Sequence, residues 1–166
     1  MSEISIPLRL SLDSDGFLRR ECPHCEREFK RLAPTPRDEA GPTEREVESE
    51  GYFCPLCHQP APPGAWWTKS QLEYAQSVAY QEVMRPRLAN LEETIKGIGG
   101  GGLISIDVTR TEPAAVPQPA EPTDMIRLGF PCHPAEPVKV PDHWTGEVAC
   151  MVCGVRYPIG LVRLEP

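Results

Sequence analysis

Aromatic residues make up 7% of this 166-residue chain and apolar residues 40%. Both are low for a domain that stabilises itself with one large core. No apolar run approaches the roughly 20 residues of a membrane span, so no membrane association is expected. The first residues, MSEISIPLRLSLDSD, lack a basic stretch followed by an apolar block, and the expectation is a cytoplasmic protein without a secretion signal. Basic charge is also short. The formal net charge is −7, and no basic stripe is present for a phosphate backbone to find, which disfavours nucleic acid as a partner.

Proline and glycine, in contrast, are abundant. With 20 Pro and 13 Gly they form about a fifth of the chain. That is too much for one compact globule and too irregular for collagen. Small folded pieces joined by stiff linkers are expected. The acidity is concentrated in two stretches that read as loops, residues 38–60 with net −5 and residues 107–124 with net −3.

Seven cysteines stand out against this background. In a reducing compartment they are metal ligands rather than disulfide partners. Zinc takes four thiolate or imidazole donors in a tetrahedron, and a C-x-x-C on a tight turn aims two sulfurs at one point. Cys22/Cys25 and Cys54/Cys57 are two such half sites, with 28 residues between them. Together they predict a four-thiolate zinc centre. The acidic Pro/Gly insertion at 34–51 accounts for the long interval. Cys150/Cys153 is a third half site, and Cys132 is its remaining partner. The fourth donor is His133, next to Cys132 between Pro131 and Pro134, or alternatively His143, and otherwise a water or none. This scheme uses every cysteine and predicts two Zn²⁺ per chain, leaving the loaded protein at about −10.

Alternation in Ile4, Ile6, Leu8, Leu10 and Leu12 predicts a strand over 4–12. Phe17–Arg20 and Glu28–Leu32 are strands entering and leaving the first cysteine turn. Leu103–Val108 and Val138–Val140 are further strand candidates. Thr68 and Gln71 have the spacing of a capping box. A helical stripe follows through Leu72, Ala75, Ala79, Val83, Met84, Leu88, Leu91 and Ile95, ending at Gly97. Pro86 either kinks this helix or opens a second one. Pro113, Pro117, Pro119 and Pro122 predict an extended linker.

The expected fold is therefore α+β, with two small zinc-ribbon-like β units flanking a central amphipathic helical segment. Its parts are an N-terminal ribbon over 1–64, a helical segment over 65–98, a Gly/Pro-rich linker over 99–124 and a C-terminal ribbon over 125–166. The cysteine turns resemble those of the zinc-ribbon superfamily, over about half of the chain. The block from Tyr52 to Tyr74, CPLCHQP followed by WWTKSQLEY, is similar to small bacterial double-ribbon proteins. That resemblance implies structural zinc and no particular biochemical role.

Three catalytic readings fail on the residues. Cys22-Pro23-His24-Cys25 matches the motif of thioredoxin-class disulfide oxidases, but Pro34 and Pro36 leave no room for the helix that activates such a thiol. His133-Pro134-Ala135-Glu136 before Cys150 misses the H-x-E and P-C-x-x-C of zinc deaminases. The GIGGGG run at 97–102 follows a helix and lacks the lysine of a phosphate loop. The expected function is thus non-enzymatic, an adaptor that binds another protein through the helix and through Trp66 and Trp67, with self-association through the helix as one form. The alternatives are a nucleic-acid-binding ribbon using Arg19, Arg20, Arg27, Lys30 and Arg31, and an enzyme with a catalytic second zinc.

Overall fold

In the computed structural model, residues 6, 8–33, 51–99 and 113–164 are described, with side chains omitted for 96–99. The architecture is α+β, a central helix in sequence between β-rich regions that carry the cysteines. Two compact units form, Leu10–Lys69 with Ala120–Pro166 and Met1–Arg9 with Ser70–Pro119.

The first unit is built on a four-stranded antiparallel sheet of order β1-β2-β6-β5. Strands β1 (Phe17–Glu21) and β2 (Glu28–Leu32) form a hairpin around the first cysteine turn. Strands β5 (Met125–Phe130) and β6 (His133–Pro141) form a second, closed by Pro131–Cys132. Pairing of Arg31 with Val138 joins them. The two cysteine-bearing regions therefore share one sheet. Two short ribbons complete the unit. One is β3 (Tyr52–Phe53) with β4 (Pro60–Ala61), the other β7 (Glu147–Ala149) with β8 (Arg156–Pro158).

One face of the sheet carries Phe29, Val138, Val140, Leu128 and Phe130, all buried. They form one cluster with Trp66, Val148, Val162 and the sulfurs of Cys22, Cys54 and Cys150. Trp66 packs edge-on against Phe29, with ring centroids 5.6 Å apart. The core is thin, and the cysteine turns close it.

The opposite face is charged. The strand register lines up Arg19, Lys30, Lys139 and Arg127 across all four strands. Lys30 and Lys139 are nonetheless fully buried. Asp13 reaches both ammonium groups, at 3.3 and 2.8 Å. Asp15 meets Lys139. Glu121 and Asp124 meet Lys30 at 2.8 and 2.9 Å and also hold Arg19. Asp13 additionally accepts the backbone N–H of Phe17 and of Asp15, fixing the turn into β1.

Burial alone would raise the Asp13 carboxyl pKa. Hydrogen bonds from Lys139, from the Phe17 and Asp15 backbone and from Lys30 outweigh it and bring it down to about 2. A lowered folded-state pKa adds stability that is complete above the unfolded value and lost as pH falls through the folded one. The stability difference between wild type and Asp13→Asn, both metal-loaded, is expected to be constant above pH 5. It should begin to shrink as pH falls from about 5 toward the unfolded carboxyl value of about 4, before acid releases the metal, as followed by denaturant titration at each pH with metal content checked. A difference that widens on acidification contradicts this assignment.

The second unit contains the helix. It starts at Lys69, which places Thr68 at the N-cap position and Gln71 three residues on, as the sequence predicts. The first stretch, α1, spans Lys69–Ala79, and α2 spans Arg85–Gly99. A wide turn over Tyr80–Met84 joins them, in which the Arg85 N–H donates to the Tyr80 carbonyl, five residues back. This widening just before Pro86 accommodates a residue with no N–H to give. The helix runs two residues past the expected stop at Gly97. The Val116 N–H donates to Ser77 Oγ at 2.9 Å, so the proline-rich segment lies against α1. Among the described residues no helix is long and apolar enough to cross a membrane.

The strand expected over 4–12 is not formed in its described part. Leu8–Leu12 are irregular and Leu12 is exposed. Proline at position 7 has no N–H to give a ladder, and β1 pairs with β2 alone, as the edge of the sheet. The acidic insertion over 34–50 and the strand candidate Leu103–Val108 lie outside the described residues.

Candidate metal centres

Each C-x-x-C pair lies on the same turn, and the backbone shows why. In the first, the Cys22 N–H donates to the Arg27 carbonyl and the Glu26 N–H to the Cys22 carbonyl. Cys54 repeats this with Gln59 and His58, and Cys150 with Val155 and Gly154. The residue after the second cysteine is left-handed in all three, Glu26 at φ 54°, His58 at 67° and Gly154 at 72°. Backbone N–H groups then point at the first sulfur. His24 donates to Cys22 Sγ, and Leu56 and Cys57 donate to Cys54 Sγ, each at 3.4 Å. Such donors stabilise a thiolate.

The left-handed position makes two predictions. A Cβ on Gly154 would fall 2.9 Å from the Phe53 ring. Gly154→Ala is expected to lose about 2 to 4 kcal/mol, from left-handed strain together with overpacking. Glu26→Gly relieves strain at an exposed site, and is expected to lie within about 1 kcal/mol of wild type on the stabilising side. Chemical denaturation of the metal-loaded protein checks both, and equal losses at the two positions would contradict the shared-turn geometry.

The first and second turns face each other. Cys22 Sγ is 3.6 Å from Cys57 Sγ, and Cys25 Sγ is 4.0 Å from Cys54 Sγ. All four sulfurs lie within 4.8 Å of one another. A tetrahedron with Zn–S of ~2.3 Å has edges of about 3.8 Å, whereas a disulfide brings its sulfurs to ~2.05 Å. The spacing fits a shared cation, and the cysteines are unbridged. Cys22 and Cys54 are fully buried, and Cys25 and Cys57 are half-buried. His24 is no ligand here. Its Nε2 donates to the Pro60 carbonyl at 3.0 Å, tying the two turns together.

The third turn meets the β5–β6 hairpin. Cys150 Sγ lies 3.4 Å from His133 Nδ1, and Cys153 Sγ lies 3.5 Å from Cys132 Sγ. These four donor atoms also fall within 4.8 Å. Cys132 occupies the hairpin turn and His133 the first position of β6, which is how adjacent residues both reach one point. Of the two candidate histidines, His133 is in the cluster. His143 lies outside it, 82% exposed at its side chain and 3.5 Å from Asp142.

The electrostatics of the two clusters are compatible with a cation. Burial pushes the Cys54 thiol upward, and the neighbouring Cys22 and Cys25 add to this. Cys150 is pushed up to about 12 by burial together with Cys132 and Cys153. Cys132 goes the other way, to about 7, because hydrogen bonds from Tyr157, His133 and its thiol neighbours outweigh its slight burial. Four crowded sulfurs ionise together only when a positive charge sits among them.

The two centres are neighbours in one unit. The Phe53 N–H donates to the Met151 carbonyl at 2.8 Å and the Ala149 N–H to the Pro55 carbonyl at 3.0 Å. His58 Nε2 donates to the Glu147 carbonyl at 3.4 Å.

Two other candidate surfaces change meaning. Trp66 is buried against Phe29 in the core, so it offers nothing to a partner. Its indole N–H has no acceptor among the described residues. Trp67 is half-buried beneath Arg20, 5.7 Å from the guanidinium. The basic cluster splits as well. Arg19 and Lys30 face carboxylates on the charged side of the sheet. Arg20, Arg27 and Arg31 stack instead on Trp67, Trp144 and Tyr52. The first cysteine turn runs into β2 rather than a helix, which removes the disulfide-oxidase reading.

Sequence reasoning missed the ion network of Asp13, Lys30, Lys139, Glu121 and Asp124. Lys30 reads from sequence as one of a basic cluster and Lys139 as part of a strand candidate, and only the assembled register brings them together.

Both clusters can hold a metal ion and are compatible with zinc-ribbon-like units. Comparisons with protein-family models, with curated proteins and with solved structures find no match to this chain.

Proposed function

We propose that this chain is a non-enzymatic zinc protein of ribbon type, with structural Zn²⁺ at both centres, that works in the cytoplasm by binding another protein. The observation that supports zinc is the donor set. Four thiolates in one centre, and three thiolates with one imidazole in the other, suit a borderline-soft tetrahedral ion. Four protein donors also leave no position for a reacting water, which favours a structural role over a catalytic one.

The protein-binding part draws on the helix. Leu72, Met84 and Leu91 are 45%, 47% and 54% exposed, while Leu88 and Ile95 lie half-buried beside them. Such an apolar stripe favours a partner, another protein or a second copy of the chain. The double variant Met84→Glu/Leu91→Glu is expected to keep its metal content and far-UV spectrum. It should lose at least tenfold in recovery of partner, or in self-association by analytical ultracentrifugation. Unchanged recovery and unchanged self-association would count against the helix as the binding element.

A nucleic-acid role is the second reading, favoured by one observation. Arg20, Arg27 and Arg31 have no carboxylate partner among the described residues. Salt-dependent retention on single- or double-stranded nucleic acid would support it. The net charge of −7 weighs against it.

A further inference from the structure

The two centres differ most in how far their sulfurs are exposed. In the first, Cys22 and Cys54 are fully buried and Cys25 and Cys57 half-buried. In the second, only Cys150 is buried, and Cys132 and Cys153 are both exposed. These two exposed sulfurs are also neighbours, 3.5 Å apart. They come from different elements, Cys132 from the β5–β6 hairpin turn and Cys153 from the turn that follows β7.

We propose that Cys132 and Cys153 are an oxidation site, a dithiolate edge that hydrogen peroxide converts to a disulfide, with release of the metal from the second centre alone. This deepens the zinc reading above and rests on it.

The chemistry follows from reach. Peroxide must approach a sulfur along an open direction, and a zinc-bound thiolate remains nucleophilic. One sulfur attacks a peroxide oxygen. The O–O bond breaks, a sulfenic acid forms, and hydroxide leaves to be protonated to water. The second thiolate then attacks that sulfur, the S–S bond forms, and the sulfenic oxygen departs as a second water. Two thiolates, one peroxide and two protons thus give one disulfide and two waters, the sulfurs losing the two electrons that the peroxide gains. The sulfurs need to approach by about 1.5 Å to reach bonding distance. Cys150 and His133 are then the only donors left, too few to retain the ion.

The fold around the site does not depend on this edge. The β5–β6 hairpin keeps its own ladder. The ribbon of β7 and β8 stays attached through Ala149 to Pro55 and through Phe53 to Met151. The oxidised protein therefore stays folded, and a dithiol reductant with added zinc restores it.

The test uses the full chain in its metal-loaded form, titrated with hydrogen peroxide. Native mass spectrometry counts metal before and after, and peptide mapping locates the disulfide. The expected result is two metal ions falling to one, a Cys132–Cys153 bond, and an unchanged far-UV spectrum. The variant Cys132→His keeps four donors without the dithiol edge, and is expected to retain both ions at the same dose. Loss of both ions in step would overturn the proposal. So would a disulfide among Cys22, Cys25, Cys54 and Cys57, or no cysteine oxidised at doses that oxidise free glutathione. An untreated count below two overturns the zinc reading itself, whereas a count of two with the wrong peroxide pattern overturns only the oxidation site.

Discussion

Cys22→Ser is expected to unfold the β-rich unit, while Cys132→Ser leaves most of it standing. The difference follows from where each sulfur sits. Cys22 is fully buried in the cluster that includes Phe29, Trp66 and Val140, and its centre joins the β1–β2 hairpin to the β3–β4 ribbon. Those two ribbon strands have only two residues each, far too little to hold themselves in place. A structural zinc contributes on the order of 10 kcal/mol or more, comparable with the whole stability of an ordinary domain. Removing one of its four donors removes most of that. Cys132 is exposed, and its hairpin is held by six- and nine-residue strands. Thermal melts by circular dichroism check this. Cys22→Ser is expected to show no cooperative transition, and Cys132→Ser a transition at lower temperature. The reverse order would mean that the second centre, not the first, organises the fold.

Asp13→Ala carries the other large effect, with an expected loss of about 3 to 5 kcal/mol. Its carboxylate is the shared partner of Lys30 and Lys139 and the cap for the Phe17 and Asp15 N–H groups. Taking it away leaves Lys139 with Asp15 and the Phe17 ring, and Lys30 with Glu121, Asp124 and the Pro122 carbonyl. The cost comes from two buried ammonium groups left short of acceptors, and from the Phe17 and Asp15 N–H groups that lose theirs. The triple variant Asp13→Leu/Lys30→Met/Lys139→Met should therefore recover most of the loss. Denaturant unfolding of the single and triple variants decides it. A single variant within 1 kcal/mol of wild type would show that water reaches the lysines and that the network is solvated.

The two four-residue clusters were legible because spacing fixes them. A C-x-x-C turn is local, its two hydrogen bonds and its left-handed residue all lie within six positions, and three copies announce themselves. The choice of His133 over His143 was not legible at that level, since it depends on the hairpin register that places His133 opposite Phe130. The shared sheet was also out of reach. It rests on two residue pairs, Lys30 with Lys139 and Arg31 with Val138, more than a hundred positions apart. The alternation in 4–12 misled because period-two apolar spacing is equally compatible with a chain that packs without pairing. Trp66 can be read either way from sequence. An aromatic pair beside a helix start can offer a contact surface or cover the neighbouring cysteine turn, and the thin core takes the Trp66 ring for itself.

A pair of metal ions that stands in for a missing hydrophobic interior is the claim on which the rest depends. Native mass spectrometry of the purified chain, paired with far-UV circular dichroism before and after stripping by a chelator, tests it most directly. The account predicts two zinc ions per chain and loss of the β signal when they are removed. Fewer than two ions, or an unchanged spectrum after stripping, would contradict it.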